Sequence, residues 1–147
     1  MAKRKTAREK LHREQELRVV EQRGKLMVIP RPLDVDAAIR RVRKGRLTTV
    51  SAIRDRLARD NGADTACPFC TGIFIRMSAE AAEEERAEGR KRITPWWRVV
   101  RDNGSLHDKL PGHFDKQTRR LRTEGHEVAA DRKTPRVPGF GKKLQRS

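Results

Sequence analysis

The sequence predicts a mainly α-helical domain with a small β-wing, in the outline of a winged helix-turn-helix, flanked by basic tails. Three observations predict it. Helical apolar spacing recurs through the middle of the 147-residue chain, with breaks at Gly45, at Asn61-Gly62 and at Gly89. Two short stretches, "LTTV" and "ITPWWRVV", carry strand-type residues between the helical ones. The ends are more basic for their length than the body: residues 1–27 carry a net +5, 28–115 a net +4 and 116–147 a net +7.

Residues 1–27 read as a basic N-terminal extension. Their composition is helix-friendly, but they have little to bury, so the segment is expected to be mobile or to dock onto a partner. The domain proper is expected over 28–125. Its first helix runs from Pro32 to Val42, with Leu33, Val35, Ala38, Ile39 and Val42 available for one face, and Gly45 stops it. After "LTTV", Ser51 can cap a second helix with Ala52, Ile53 and Leu57 inward and Arg54, Arg56 and Arg59 outward. "DNGAD" breaks the chain. A third helix spans Pro68 to Gly89, with Phe69, Ile73 and Met77 at four-residue spacing. "ITPWWRVV" is expected to be extended, "RDNGSL" is a turn, and His113 to Gly125 is the last helix, with Phe114, Thr118 and Leu121 on one side. Residues 126–147 read as a flexible basic C-terminal tail, since "RKTPRVPGFGKKLQRS" combines Pro, Gly and cations without an apolar period.

Charge narrows the function. Lys and Arg number 36 against 20 acids, a formal net charge of +16. That imbalance favours a polyanionic partner, because neutralising phosphates releases condensed counterions. Double-stranded DNA is the expected partner, met by the second helix of a helix-turn-helix pair. No apolar run approaches the ~18 residues that a membrane span needs, so no membrane partner is expected. "MAKRKTAREK" lacks the apolar stretch of a secretory signal, which gives a cytoplasmic, nucleoid-associated reading.

No cofactor or metal is expected. His12, His107, His113 and His126 show no paired ligand spacing, while tetrahedral zinc needs four close Cys or His ligands. For Cys67 and Cys70 three readings stand open: structural thiols, a redox pair, or half of a zinc site. The glutamates of "EAAEEERAEG" are either a solvated helix end turned away from phosphate or a docking patch for a basic protein, and no pair of them is framed for acid–base chemistry. Arg76 follows the apolar run Ile73-Phe74-Ile75. It can reach base edges or fill the gap left by an extruded base, or simply contact phosphate. Trp96 and Trp97 are adjacent. In a strand they point to opposite faces, one to the core and the other to a surface or pocket where it can stack on a base.

"TPWWRVVRDNGSL", followed by "PGHFDKQTRRLRTEG", resembles the DNA-binding domain of the methylated-DNA–protein cysteine methyltransferases. "TTVSAIRDRLA" resembles that family's second helix and "TGIFIR" its recognition helix, and the resemblance covers about residues 30–125. Trp96 stands where the family has its alkyl-accepting cysteine and Trp97 where it has the activating histidine. Indole has no comparably nucleophilic atom, so the chain is similar to the alkyltransferase-like subgroup, which keeps the fold without the cysteine. The resemblance implies a non-enzymatic protein that recognises alkylated guanine by base flipping and flags it to an excision-repair protein. It implies DNA contacts from Ser51, Thr71, Gly72, Arg76, Arg98 and Ser105, with Arg76 as the inserted finger, and a base pocket of Trp96, Trp97 and Leu110. Ala52 replaces a family tyrosine, and Lys109 to His113 replace the glycine-rich pocket loop. The alternative is a sequence-independent nucleoid or RNA-associated architectural protein that retains only the fold.

Overall fold

A 20-residue helix, α4 (Pro68–Ala87), is the axis on which the other elements pack. In chain order these are α1 (Ala7–Leu11), β1 (Arg18–Gln22), β2 (Lys25–Ile29), α2 (Pro32–Arg40), β3 (Thr48–Thr49), α3 (Val50–Asp60) and β4 (Thr65–Ala66) before it. After it come β5 (Val99–Val100), α5 (Asp115–Thr123), β6 (Ala129–Asp131) and β7 (Thr134–Arg136). Single 3-10 turns cover Trp96–Arg98 and Phe140–Lys143. This computed structural model describes residues 6–13, 15–131 and 133–146. Residues 1–5 and 14 of the basic extension, and Arg132 and Ser147 of the tail, lie outside the described residues.

Local chemistry sets the helix limits. Pro68 occupies the first turn of α4, where its missing N–H costs nothing, and Cys67 Sγ accepts from the Cys70 N–H at 3.4 Å. Gly89 ends the helix at φ +94°, a left-handed backbone that glycine adopts freely. The inward stripe of α4 is Thr71, Ile75, Ser78, Ala79 and Ala82. These mostly small side chains recur at three- and four-residue steps and let the helix approach its neighbours closely. Phe69 and Ile73, expected on the apolar face, are instead exposed: the small-residue stripe, rather than the bulky one, is the buried face.

Among the described residues, three small sheets surround the helices. β1 and β2 form an antiparallel hairpin, β4 adds parallel to β2, β3 pairs parallel with β5, and β6 pairs antiparallel with β7. One core cluster joins Val28, Val35, Ile39, Ile53, Leu57, Ile75, Ala79, Trp96, Val99 and Leu110. A second joins Leu47, Val100, Leu106, Leu121, Val128 and Val137, with Phe140 and Leu144 packed against it. Trp97 touches both clusters.

Four expectations are corrected. Thr49, not Ser51, caps α3, its hydroxyl accepting from the Ala52 N–H at 3.1 Å. Residues 96–98 form a 3-10 turn rather than a strand, because the Thr94 and Pro95 carbonyls accept from the Trp96 and Arg98 N–H groups. The N-terminal extension docks on its own chain. Both carboxylate oxygens of Glu84 accept at 2.9 Å from the Ala7 and Arg8 N–H groups at the start of α1, and Arg8 bonds Glu88 at 2.6 Å. The glutamate patch thus receives the protein's own basic segment. The C-terminal segment, read as a flexible arm, forms the β6–β7 hairpin and buries Val128 and Val137. Leu47 bridges to Leu144, the Leu47 N–H donating to the Lys143 carbonyl and the Gln145 N–H to the Leu47 carbonyl.

The distal half of α4 is fixed to α5 by Glu83. Its carboxylate accepts from Trp96 Nε1 at 3.0 Å, from Arg120 at 2.5 and 2.8 Å and from Lys116 Nζ at 3.0 Å. Burial by itself would push this carboxyl up. The bonds from Arg120, Trp96 and Lys116, with the Arg120 charge, outweigh it and hold the pKa at about 2.

Two outcomes are expected. Glu83→Gln should cost about 2 kcal/mol at pH 7 in urea unfolding, since it leaves the Arg120 charge half-partnered in a mostly buried place. The folded pKa lies below the ordinary ~4.3, so the stabilisation is complete above about pH 5 and fades as pH falls toward 2. The wild-type and Gln curves should therefore converge near pH 2, and a constant gap would refute the network. Removal of residues 137–147 should cost about 3 kcal/mol, by stripping Val137, Phe140 and Leu144 from the second cluster. That corresponds to a fall of roughly 10 °C in melting temperature. An unchanged melt would show that the segment does not pack.

Candidate functional site

Trp96 and Trp97 share the 3-10 turn that leads into β5. In the 3-10 turn their rings meet edge to face, with centroids 6.1 Å apart and planes at 80°. A strand would have thrown them to opposite sides; the tighter turn keeps both against one body. Arg120 lies over both rings, 5.4 Å from the Trp96 centroid and 4.9 Å from that of Trp97, and Arg98 lies 5.6 Å from Trp97. Each contact pairs a cation with the negative face of a ring. Trp96 is 0 % exposed, so it offers no ring face to a ligand and is a core residue. Trp97 is half-buried and lines a groove of about 570 Å³ with Lys44, Arg86, Arg90, Lys91, Ile93 and Arg120. The groove combines an aromatic wall with cations, and an anionic planar group fits that chemistry.

The other predicted residues divide into inward and outward sets. Thr71 is buried, and its hydroxyl donates to the Cys67 carbonyl at 2.7 Å; it braces the first turn of α4. Arg98 donates to both oxygens of Glu124 at 2.7 to 3.2 Å and to the Val42 carbonyl at 2.6 Å. With side chains 13 % and 7 % exposed, Arg98 and Glu124 form an internal clamp. Burial opposes the Glu124 charge, and Arg98 overcomes it and holds the carboxyl low. Ser105 is buried and bonds Asn103 Oδ1 at 2.7 Å within the turn. Leu110 belongs to the Trp96 cluster. Ser51 Oγ donates to Asp102 at 2.5 Å, tying the start of α3 to the same turn; these bonds hold the Asp102 carboxyl low.

Gly72 and Arg76 are exposed on α4. Arg76 is 57 % exposed and pairs with Glu80 at 3.0 Å. The same face carries Phe69 and Ile73, which stand at four-residue spacing in the sequence. The useful signal was the competing stripe of Thr, Ser and Ala at helical spacing. Among the predicted contacts, then, the structure brings Gly72 and Arg76 together on one surface, leaves Trp97 in a separate groove, and uses the rest to hold the fold.

The loop before α5 is backbone-strained. Gly112, His113 and Phe114 are consecutive left-handed residues at φ +80°, +43° and +74°. For His and Phe this conformation costs of order 1–3 kcal/mol each. A Cβ at Gly112 would come within 2.5 Å of Lys116 Cβ, so the turn needs a glycine on steric grounds as well. Cys67 caps α4, and Cys70 is pushed up in pKa by burial and then by Cys67, so its thiolate form is disfavoured. Among the described residues no group of three His, Cys, Asp or Glu could hold a metal, and no helix is long and apolar enough to cross a membrane.

No family model matches the chain, and no curated protein matches it. Two solved structures do. One is S. pombe Atl1 in complex with damaged DNA containing O6-carboxymethylguanine, at 18% sequence identity and a TM-score of 0.50, covering 79% of this chain and 94% of that one. The other is S. pombe ATL in complex with DNA, at 18% identity, a TM-score of 0.49 and the same coverage. The chain is similar to the first across most of its length, and its mixed helical architecture with small sheets is the alkyltransferase-like fold.

Proposed function

We propose that this protein is a non-enzymatic DNA-binding protein that recognises alkylated guanine in a duplex and leaves its removal to an excision-repair protein. The observation that carries the reading is the surface of α4. From Pro68 to Met77 the helix has no acid, and it presents Gly72 and Arg76 outward on a chain of net charge +16. The shared fold with a protein crystallised on alkylated-guanine DNA supports it.

The chemistry argues against alkyl transfer. At the position that the resemblance assigns to the acceptor, Trp96 has no nucleophile and no exposed surface, and its indole N–H is committed to Glu83. Base flipping needs a receptacle. Trp97, not Trp96, walls a groove, where stacking on indole and nearby Lys44 and Lys91 would hold an extruded nucleotide. A second reading, sequence-independent architectural binding, is favoured by the sealed environment of Trp96, which is packed with core rather than opened as a pocket floor.

One titration decides between them. A duplex with a central O6-alkylated guanine should bind at least tenfold more tightly than its unmodified twin; equal affinity would leave the architectural reading. Trp97→Ala should weaken the alkylated complex selectively, by about 1–3 kcal/mol, through loss of a stacking surface. Intact mass after incubation with alkylated DNA should show no added alkyl group, and a stoichiometric gain would revive an enzyme. On either duplex, log affinity should fall with log salt by roughly 0.9 per phosphate contacted. A flat salt response would remove phosphate binding altogether.

A further inference from the structure

We propose that Phe69 and Ile73 form an apolar wedge that enters a base step of duplex DNA and kinks it. The inference rests on the duplex-binding reading above and names the residues that deform the DNA. Phe69 is 75 % exposed, the most open of the large hydrophobic residues among those described, and Ile73 is 43 % exposed. Both stand on a helix whose neighbouring positions, Thr71 and Ile75, are fully or almost fully buried. The fold therefore had inward positions on this helix and filled them with other residues.

Phe69, Gly72, Ile73 and Arg76 lie at i, i+3, i+4 and i+7, which places them on one face of α4. All four are exposed. Gly72 is the second, independent sign of an external ligand. A Cβ built there meets nothing within 4 Å, and its φ is not in the left-handed range. Nothing inside the protein requires glycine, and glycine weakens a helix interior. A bare backbone between two apolar side chains suits a surface that something approaches closely from outside.

The surroundings identify that occupant as a polyanion with apolar interior faces. The first acid of α4 is Glu80. Arg54 lies beside the helix start, bonding the Ala66 carbonyl at 3.0 Å and Thr65 at 3.1 Å. Arg18 is close enough to act on the Cys70 thiol, and Arg76 closes the stripe. Cations thus flank the apolar pair, the arrangement in which apolar side chains unstack a base step while cations hold the phosphates on either side. Arg76, tied to Glu80 at 3.0 Å, serves better as such a phosphate contact than as the inserted group. A planar ring at the first turn of a helix is the more suitable wedge.

The test uses the full chain and a 20-base-pair duplex carrying a fluorophore at each end and 2-aminopurine at its centre. Wild-type protein should shorten the end-to-end distance and raise the 2-aminopurine signal. Phe69→Ala and the double variant Phe69→Ala/Ile73→Ala should lose both signals and bind roughly tenfold more weakly, with an unchanged salt slope and an undiminished melting temperature. Phe69→Trp, which restores a planar ring, should recover the bend. If wild type binds the duplex without bending it, or Phe69→Ala bends it as well as wild type, the wedge is wrong and the binding reading stands. If wild type does not bind duplex at all, both fall. Sedimentation closes the remaining route: a wild-type dimer split by Phe69→Ala would make this face a self-interface and overturn the proposal.

Discussion

One carboxylate holds the two halves of this protein in register. Glu83 gathers Trp96, Lys116 and Arg120 at a single point, the first from the 3-10 turn and the other two from one face of α5. Its position follows from elementary constraints. A buried indole N–H requires an acceptor, and Arg120, stacked over both tryptophan rings, requires a counter-charge. Glu83 meets both needs from the one face of α4 that reaches them. Without it, Trp96 would be a buried donor without a partner and the two core clusters would lose their electrostatic tie. The second clamp, Arg98 with Glu124, repeats the principle one layer away. Charge in this molecule is therefore partly internal, and net charge alone overstates what is available to a partner.

The helices were legible in the sequence because several boundaries are written in single residues, Pro32 and Pro68 at first turns and Gly89 at a stop; α2, however, ends at Arg40, before the expected stop at Gly45. The β3–β5 pairing was half legible, since "LTTV" and "RVV" are β-branched but the register depends on distant packing. Faces were harder to read. The four-residue spacing of Phe69, Ile73 and Met77 marks a helix but not its buried face, which is built largely of Thr, Ser and Ala, whose low hydrophobicity conceals their role. The termini failed for a related reason. Val128, Val137 and Leu144 are too widely spaced to show a period, because strands and turns, rather than a helix, bring them to the core. Similarly, adjacent tryptophans were read through strand geometry, and Pro95 and the carbonyl of Thr94 turned that segment into a 3-10 turn.

The candidate site was legible as a basic helical surface and less so at the level of residues. Of the predicted contacts, those with short polar side chains (Ser51, Thr71, Ser105) are satisfied inside the protein. Sequence cannot distinguish a hydroxyl that meets phosphate from one that braces a helix turn, since both sit near helix starts. What the structure adds is the division of labour along α4. Its proximal half is acid-free and carries Gly72 and Arg76 outward, and its distal half is acidic, with Glu83 docking α5, Glu84 and Glu88 docking α1, and Glu80 paired with Arg76. The acids that would repel a polyanion are thereby neutralised by the protein itself.

The docking of α1 on Glu84 has a consequence for how the chain acquires its structure. Residues 7 and 84 are separated by 77 positions, and the Leu47–Leu144 bridge joins residues still farther apart in sequence. Contacts of such span form late, because loop closure must be paid before they return any stabilisation. The helices α2, α3 and α4 can assemble from local contacts first, leaving the acidic end of α4 and the edge at Leu47 uncovered in the interim. Both sites are then closed last by basic segments arriving from opposite ends of the chain, so an incompletely folded molecule exposes an anionic patch and an apolar seam that the native one does not. That transient surface, rather than the finished one, is where self-association and chaperone capture would be concentrated.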